Sequence, residues 1–398
     1  MQRLLDKGIP APFSGKNLIL PFSIFSFYLT QYFLGWPMLR FWNVANNGKF
    51  EDLVGLIAVS NCYEEEGMNV YTKGETFCHN FFYGRFTLWL LSSLNFGDSF
   101  AIPIGFIFLA TLSMILAKYF ESTLFANFDK PNAILFSSCI VVSPPLQLLA
   151  ERANLDILMF LLIYSSAHLL HKTSRFALIT IGFATLLKFY TLPLYLIIFF
   201  RNTYSIKFRL FCFGMFLSHC YWVYFELNFI SSYKNFYEVS TSGVFHWQSA
   251  ITFINNTVSI NLTNIETFRI NLMFHLILLY LVHILSKTLN LNLSAYPNSK
   301  SRFLFYVFAL IFLVSYFSSA GADYRLFLPL SAALALLSLY NTPSIIKTFL
   351  IEIVILALWL SYPSGGLEIV GDLLCSFLAV LFLRVLLDRR LWELKNVY

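Results

Sequence analysis

Few residues of this chain are ionisable, and those best placed to do chemistry fall into four short groups. The first is Glu151-Arg152-Ala153-Asn154-Leu155-Asp156, four polar residues in six, wedged between apolar stretches just after Ser143-Pro144-Pro145. A guanidinium there can grip a phosphate through two parallel hydrogen bonds. The plain alternative is an Arg–carboxylate pair, with Asn154 and Asp156 capping the next helix. The second is Leu187-Lys188-Phe189-Tyr190-Thr191-Leu192-Pro193, where an ammonium follows 12 residues of apolar sequence. Such a Lys has a buried or anionic partner unless it snorkels to the interface. The third is Asp52, in Gly48-Lys49-Phe50-Glu51-Asp52-Leu53-Val54. A carboxylate fixed beside the membrane can take the proton of an acceptor hydroxyl, although Asp also favours helix caps and wet loops. The fourth is Asp323-Tyr324-Arg325, whose Asp and Arg lie two apart and so point to different partners. Arg152, Lys188 and Arg325 come from three separate connections. Together they form an expected cationic pocket facing Asp52, suited to a phosphate-bearing lipid.

The elements that carry these groups are hydrophobic helices. Of 398 residues 58% are hydrophobic and only 12% charged, with 45 Phe and 22 Tyr. A soluble domain has about twice that share of charge. The mean hydropathy is +0.68. The sequence predicts an all-α polytopic membrane bundle of about 11–13 transmembrane helices, a single domain over 1–398. Candidate spans lie near 17–36, 100–118, 133–149, 155–171, 209–227, 270–286, 303–319, 326–341, 347–362 and 368–387. The stretch 176–200 is interrupted by Lys188 and Pro193 and reads as one kinked helix or two short ones.

Charge bias decides between them. With both termini inside and 176–200 split, the inner side takes 18 of the 27 basic and only 6 of the 21 acidic residues. One crossing would move Arg201, Lys207 and Arg209 outside and spoil the bias. The net charge of +6 therefore reflects membrane topology, and no nucleic-acid partner is expected. Two outer loops are long, 38–99 and 229–269, and the first holds a hydrophobic stretch, 85–94, expected to lie as an interfacial helix.

Four of the six cysteines (139, 212, 220 and 375) fall in apolar spans and read as small apolar residues. Cys62 and Cys78 share the first outer loop, as a disulfide or as two thiols. The seven His are scattered, no spacing suits a metal, and no Gly-rich phosphate loop follows a strand. No cofactor is expected.

The block Glu151-Arg152-Ala153-Asn154-Leu155-Asp156, a span, a basic turn and then Leu187-Lys188-Phe189-Tyr190-Thr191-Leu192-Pro193 resembles the signature of GT-C membrane glycosyltransferases. The nearest group is glycosyltransferase family 87, which is polyprenyl-phosphate-dependent and mannosyltransferase-like. Asp323-Tyr324-Arg325-Leu326 is similar to a downstream block of its bacterial members. The family's Gly is Ala153 here, and its Pro directly after the aromatic is displaced by Thr191.

The resemblance implies transfer of a sugar from a polyprenyl-phosphate donor to a lipid or glycan hydroxyl on the outer face of a bacterial inner membrane, with inversion. It implies a loop Asp as general base, which falls on Asp52, with Glu51 the nearest rival. Arg152, Lys188 and Arg325 would bind the donor phosphate, supported by Glu51, Asn154, Asp156, Tyr190, Asp323 and Tyr324. Some members of the superfamily hold a divalent metal, for which this sequence offers no clear ligand set. The competing readings are a transporter or lipid-linked sugar flippase, and an O-antigen polymerase or ligase. A transporter would place its charges at mid-bilayer; a polymerase would carry its longer outer loop late in the chain.

Overall fold

The computed structural model describes residues 18–41, 50–67, 70, 84–172, 174–201, 204–233, 263–288, 299–317, 326–339, 344–361 and 366–388. Among these residues the chain is helical throughout, with no strand. In chain order the α-helices are α1 (Ile19–Phe33), α2 (Pro37–Phe41), α3 (Glu51–Glu66), α4 (Arg85–Leu94), α5 (Ala101–Asn127), α6 (Lys130–Val141), α7 (Pro144–Arg152) and α8 (Asp156–His171). They continue as α9 (Phe176–Leu187), α10 (Leu194–Phe200), α11 (Ile206–Tyr233) and α12 (Asn264–Thr288). The last four are α13 (Ser299–Phe317), α14 (Phe327–Leu337), α15 (Ser344–Leu360) and α16 (Gly366–Leu386).

Four stretches among the described residues are long and apolar enough to cross a bilayer: Ala101–Asn127, Ile206–Phe229, Ile265–Ile284 and Leu367–Leu386. The pair α6 and α7 passes the same test only when joined across its 54° bend. Several remaining apolar helices, α8, α9, α13 and α14 among them, are shorter. They pack around one continuous core built on α5, α8, α13 and α14. The chain therefore has the helices of a membrane protein, with a central group too short to span alone and buried by its neighbours.

Breaks in the helices have identifiable causes. Ser143-Pro144-Pro145 stops α6 and starts α7, since proline suits the first turn of a helix and no later one. The carbonyls freed at the break are taken up by side chains. Gln147 Nε2 donates to Val141 O at 3.0 Å, Tyr28 OH donates to the same oxygen at 3.4 Å, and Trp359 Nε1 donates to Cys139 O at 3.0 Å. In an apolar setting such carbonyls need partners.

The stretch 176–200 is indeed divided. α9 ends at Leu187, the backbone of Lys188 is extended, one 3₁₀ turn follows, and α10 restarts after Pro193. Lys188 lies beside Asp156 at the start of α8, whereas Arg201 donates to Leu170 O near the end of α8. The chain therefore runs up the length of α8 and back between 176 and 201.

The bundle has two chemically different ends. At the end of α8 gather Arg201, held over Phe303 at 4.3 Å, and Arg209, which donates to Phe199 O. At the start of α8 gather the acids.

Phe50 fixes the entry of α3 into that acidic end. It adopts the left-handed backbone region at φ 60°. Its amide donates to Glu151 O at 3.0 Å, and its ring stacks on Tyr32 and meets Phe106 edge-on. The ring lies so close over Gly105 that a Cβ there would stand 2.2 Å from Phe50 Cδ2. Gly105→Ala is therefore expected to expel Phe50 and shift the first turn of α3. Whatever activity depends on Asp52 should drop at least tenfold while Asp52 itself is intact, because small displacements of a reacting group are costly. The measurement is specific activity alongside thermal unfolding, and unchanged activity would mean that Phe50 does not set the position of Asp52.

Candidate active site

Asp52 is not on a loop. It is the second residue of α3, and Leu53, Leu56, Ile57 and Val59 bury the helix behind it. The apolar residues that follow Asp52 are thus the packing face of a helix whose first turn presents the acid.

Two donors clasp Asp52. Arg152 Nη1 donates to Oδ1 at 2.9 Å, and Asn154 Nδ2 donates to Oδ2. Asn154 is itself fixed, because its Oδ1 accepts the Asp156 backbone amide at 2.9 Å. That turn, made by an Asn side chain bonding two residues ahead, starts α8. Lys188 Nζ reaches the same Oδ1 at 3.5 Å and pairs with Asp156 Oδ1 at 2.8 Å. Tyr190 OH donates to Asp156 Oδ1 at 2.5 Å. Six residues expected from the sequence, Asp52, Arg152, Asn154, Asp156, Lys188 and Tyr190, therefore form one hydrogen-bonded chain drawn from three distant segments. The chain matches no protein-family model, no curated protein and no solved structure.

The charge at this end differs from the expected cationic pocket. Arg152 faces three carboxylates, with Nη2 3.8 Å from Glu51 and Nε 4.0 Å from Glu151 besides its bond to Asp52. Lys188 is paired with Asp156, and both side chains are buried. Among the described residues the cluster holds four carboxyls against two cations. The physical reason is that burying a cation requires a partner, so acids from distant segments, Asp52 for Arg152 and Asp156 for Lys188, fold onto each base.

Arg152 nevertheless keeps a donor for a ligand. It is part-exposed, and among the described residues Nη2 makes no hydrogen bond.

Glu151, which the sequence places in the same polar run without a role of its own, is the most deeply buried acid of the Arg152 group. It is 1% exposed, and among the described residues neither carboxyl oxygen has a hydrogen-bond partner. It follows the apolar stretch 133–149 and stands outside it.

A second ion pair closes the flank of the site. Arg85 donates through Nε to Glu226 Oε1 at 2.9 Å, with Nη2 at 2.8 Å, while its backbone amide takes Oε2 at 3.1 Å. Phe229 covers the guanidinium at 4.2 Å. Thr87 Oγ1 donates to Leu187 O at 3.1 Å. α4, expected as an interfacial helix, is thereby tied to both α11 and the Lys188 hinge. A lone acid in the apolar stretch 209–227 was the signal for Glu226, of the same kind that marked Lys188.

Ala153, where the resembled family has glycine, adopts φ 44°, ψ 45°. Left-handed backbone suits glycine and costs other residues roughly 1–2 kcal/mol. The departure from the family pattern is thus a strained residue in the same turn.

Arg325, Asp323 and Tyr324 lie outside the described residues, as do most of 229–269 and part of 38–99. Cys62 is disulfide-bonded; its expected partner, Cys78, lies outside the described residues. Cys139, Cys212, Cys220 and Cys375 are free thiols. Among the described residues no group of three or more His, Cys, Asp or Glu is arranged to hold a metal.

Proposed function

We propose that this chain is a GT-C-type membrane glycosyltransferase that moves a sugar from a polyprenyl-phosphate donor to a lipid or glycan hydroxyl. The observation that carries the reading is Asp52 held at the mouth of the bundle between Arg152 and Asn154. In one displacement, the acceptor oxygen bonds to the anomeric carbon as its proton passes to Asp52. The lipid phosphate leaves with the bond electrons, inverting the centre. Nη2 of Arg152 is the donor on hand for the developing phosphate charge, with Arg325 as its expected companion. Lys188 acts in this arrangement by fixing Asn154, and it would touch phosphate only in exchange for Asp156. Both carboxylate oxygens of Asp52 are oriented, and preorganisation of that kind is what a general base requires. The reading places the site on the outer face of a bacterial inner membrane, with cytoplasmic termini.

The test is transfer in vesicles. Protein reconstituted with a radiolabelled polyprenyl-phosphate hexose and a lipid extract as acceptor should move label to a new lipid or glycan product and liberate polyprenyl phosphate. A transporter or flippase reading draws on one observation, the buried Glu368, Asp372 and His275 within candidate spans. That reading is the correct one if labelled donor crosses the bilayer unchanged and no product forms.

A further inference from the structure

Away from the mouth, α12, α13 and α16 meet along a buried polar seam that the proposed transfer does not use. Asn271 and His275 lie one turn apart on α12, Tyr316 is near the end of α13, and Asp372 and Ser376 lie one turn apart on α16; all are buried. Four contacts run in series. His275 Nδ1 meets Asn271 O at 2.8 Å, and Nε2 meets Tyr316 OH at 2.9 Å. Tyr316 OH then meets Ser376 Oγ at 2.6 Å, and Ser376 Oγ donates to Asp372 O at 2.8 Å.

Every contact needs a hydrogen, and both ends of the series are carbonyl oxygens, which only accept. A neutral imidazole, a phenol and a hydroxyl bring three hydrogens to four contacts. A neutral seam must therefore leave one pair of lone pairs face to face, or turn Ser376 away from Asp372. One further proton removes the conflict. The ring then donates at both nitrogens, Tyr316 donates to Ser376, and Ser376 donates to Asp372 O.

We infer that His275, Tyr316 and Ser376 form a proton-binding site inside the helix bundle, whose ligand is a single proton carried on His275. Burial resists the charge, while the contact with Asn271 O and the saturated seam favour it. From α16 the titratable groups that face the seam are Asp372 and Cys375, both of which act on Tyr316. Glu368 follows one turn away, also buried. From α13 the group is Tyr316 itself. On α12 the flanking ionisable residues are Arg269 and Tyr280, with Glu266 and His283 farther along.

The site is read by nitrogen NMR of the full chain labelled at histidine in lipid nanodiscs, with the His275 signals assigned by their loss in His275→Gln. The parent protein should show His275 passing to the doubly protonated ring within about pH 5–8. Ser376→Ala is the decisive variant, because it is small and does not touch the ring. Without the Ser376 acceptor, the Tyr316 hydrogen turns to Nε2 and favours the neutral ring. The His275 midpoint should then fall by about one pH unit, the scale of one hydrogen bond. Tyr316→Phe should lower it as well. A ring that stays neutral to pH 5 in the parent protein, or a midpoint unmoved by Ser376→Ala, overturns the inference.

Discussion

Asp52→Asn is expected to abolish sugar transfer while leaving a folded protein. General base catalysis is worth about 10²–10⁴ in rate, and Asn cannot accept the proton, so the loss should fall in that range. The structural cost is small. Arg152 is part-exposed and still faces Glu51 and Glu151, so the exchange should cost about 1 kcal/mol or less. The check is kcat in the vesicle assay beside the thermal midpoint. Because Arg152 remains in place, donor binding should persist and the loss should appear in kcat rather than KM. Transfer by Asp52→Asn at the parent rate would remove Asp52 as the base. Asp52→Glu is the companion variant: it keeps the proton acceptor but shifts it by a methylene, and should recover part of the rate.

The second large effect concerns stability. Lys188 and Asp156 are a buried pair, 2.8 Å apart. Removing one member of such a pair leaves an uncompensated charge and costs about 3–5 kcal/mol. Lys188→Met should therefore lower the thermal midpoint sharply and reduce the yield of folded protein. Replacing both, as Lys188→Met with Asp156→Leu, should return most of the stability, because apolar substitutes for a buried pair are often neutral. Activity should stay low in the double variant, since Asn154 loses Lys188 and Tyr190 loses Asp156. If the double variant is as unstable as the single one, the pair is not the main bond holding the hinge.

Much of the site was legible because isolated ionisable residues in apolar sequence have few physical explanations. Lys188 and the acid–Arg–Asn–Asp run announced themselves that way, and they do converge. Division of 176–200 could be read from Lys188, Pro193 and the distribution of basic residues, all local or additive signals. What could not be read was pairing. Nothing in the spacing tells that Asp156 turns to Lys188 instead of capping α8 with its own side chain, because that choice depends on how α9 returns beside α8. Nor could helix length be judged from hydropathy. A helix such as α14 is apolar enough to suggest a span, yet it has only 11 residues and is enclosed by protein. Asp52 reads as a loop residue because Phe50, which starts α3 in a left-handed conformation, gives no start signal that propensity would recognise.

The corner at Ala153 has a consequence for how the carboxylate is held. Residues two apart on a helix look away from each other, yet Arg152 and Asn154 reach opposite oxygens of one side chain. They can do so because the peptide between them swings through the left-handed region. The forceps is thus made by the backbone, and its two tips close on the same target only while that single residue stays flipped. A substitution at 153 that returned it to right-handed geometry would open the grip without altering either tip.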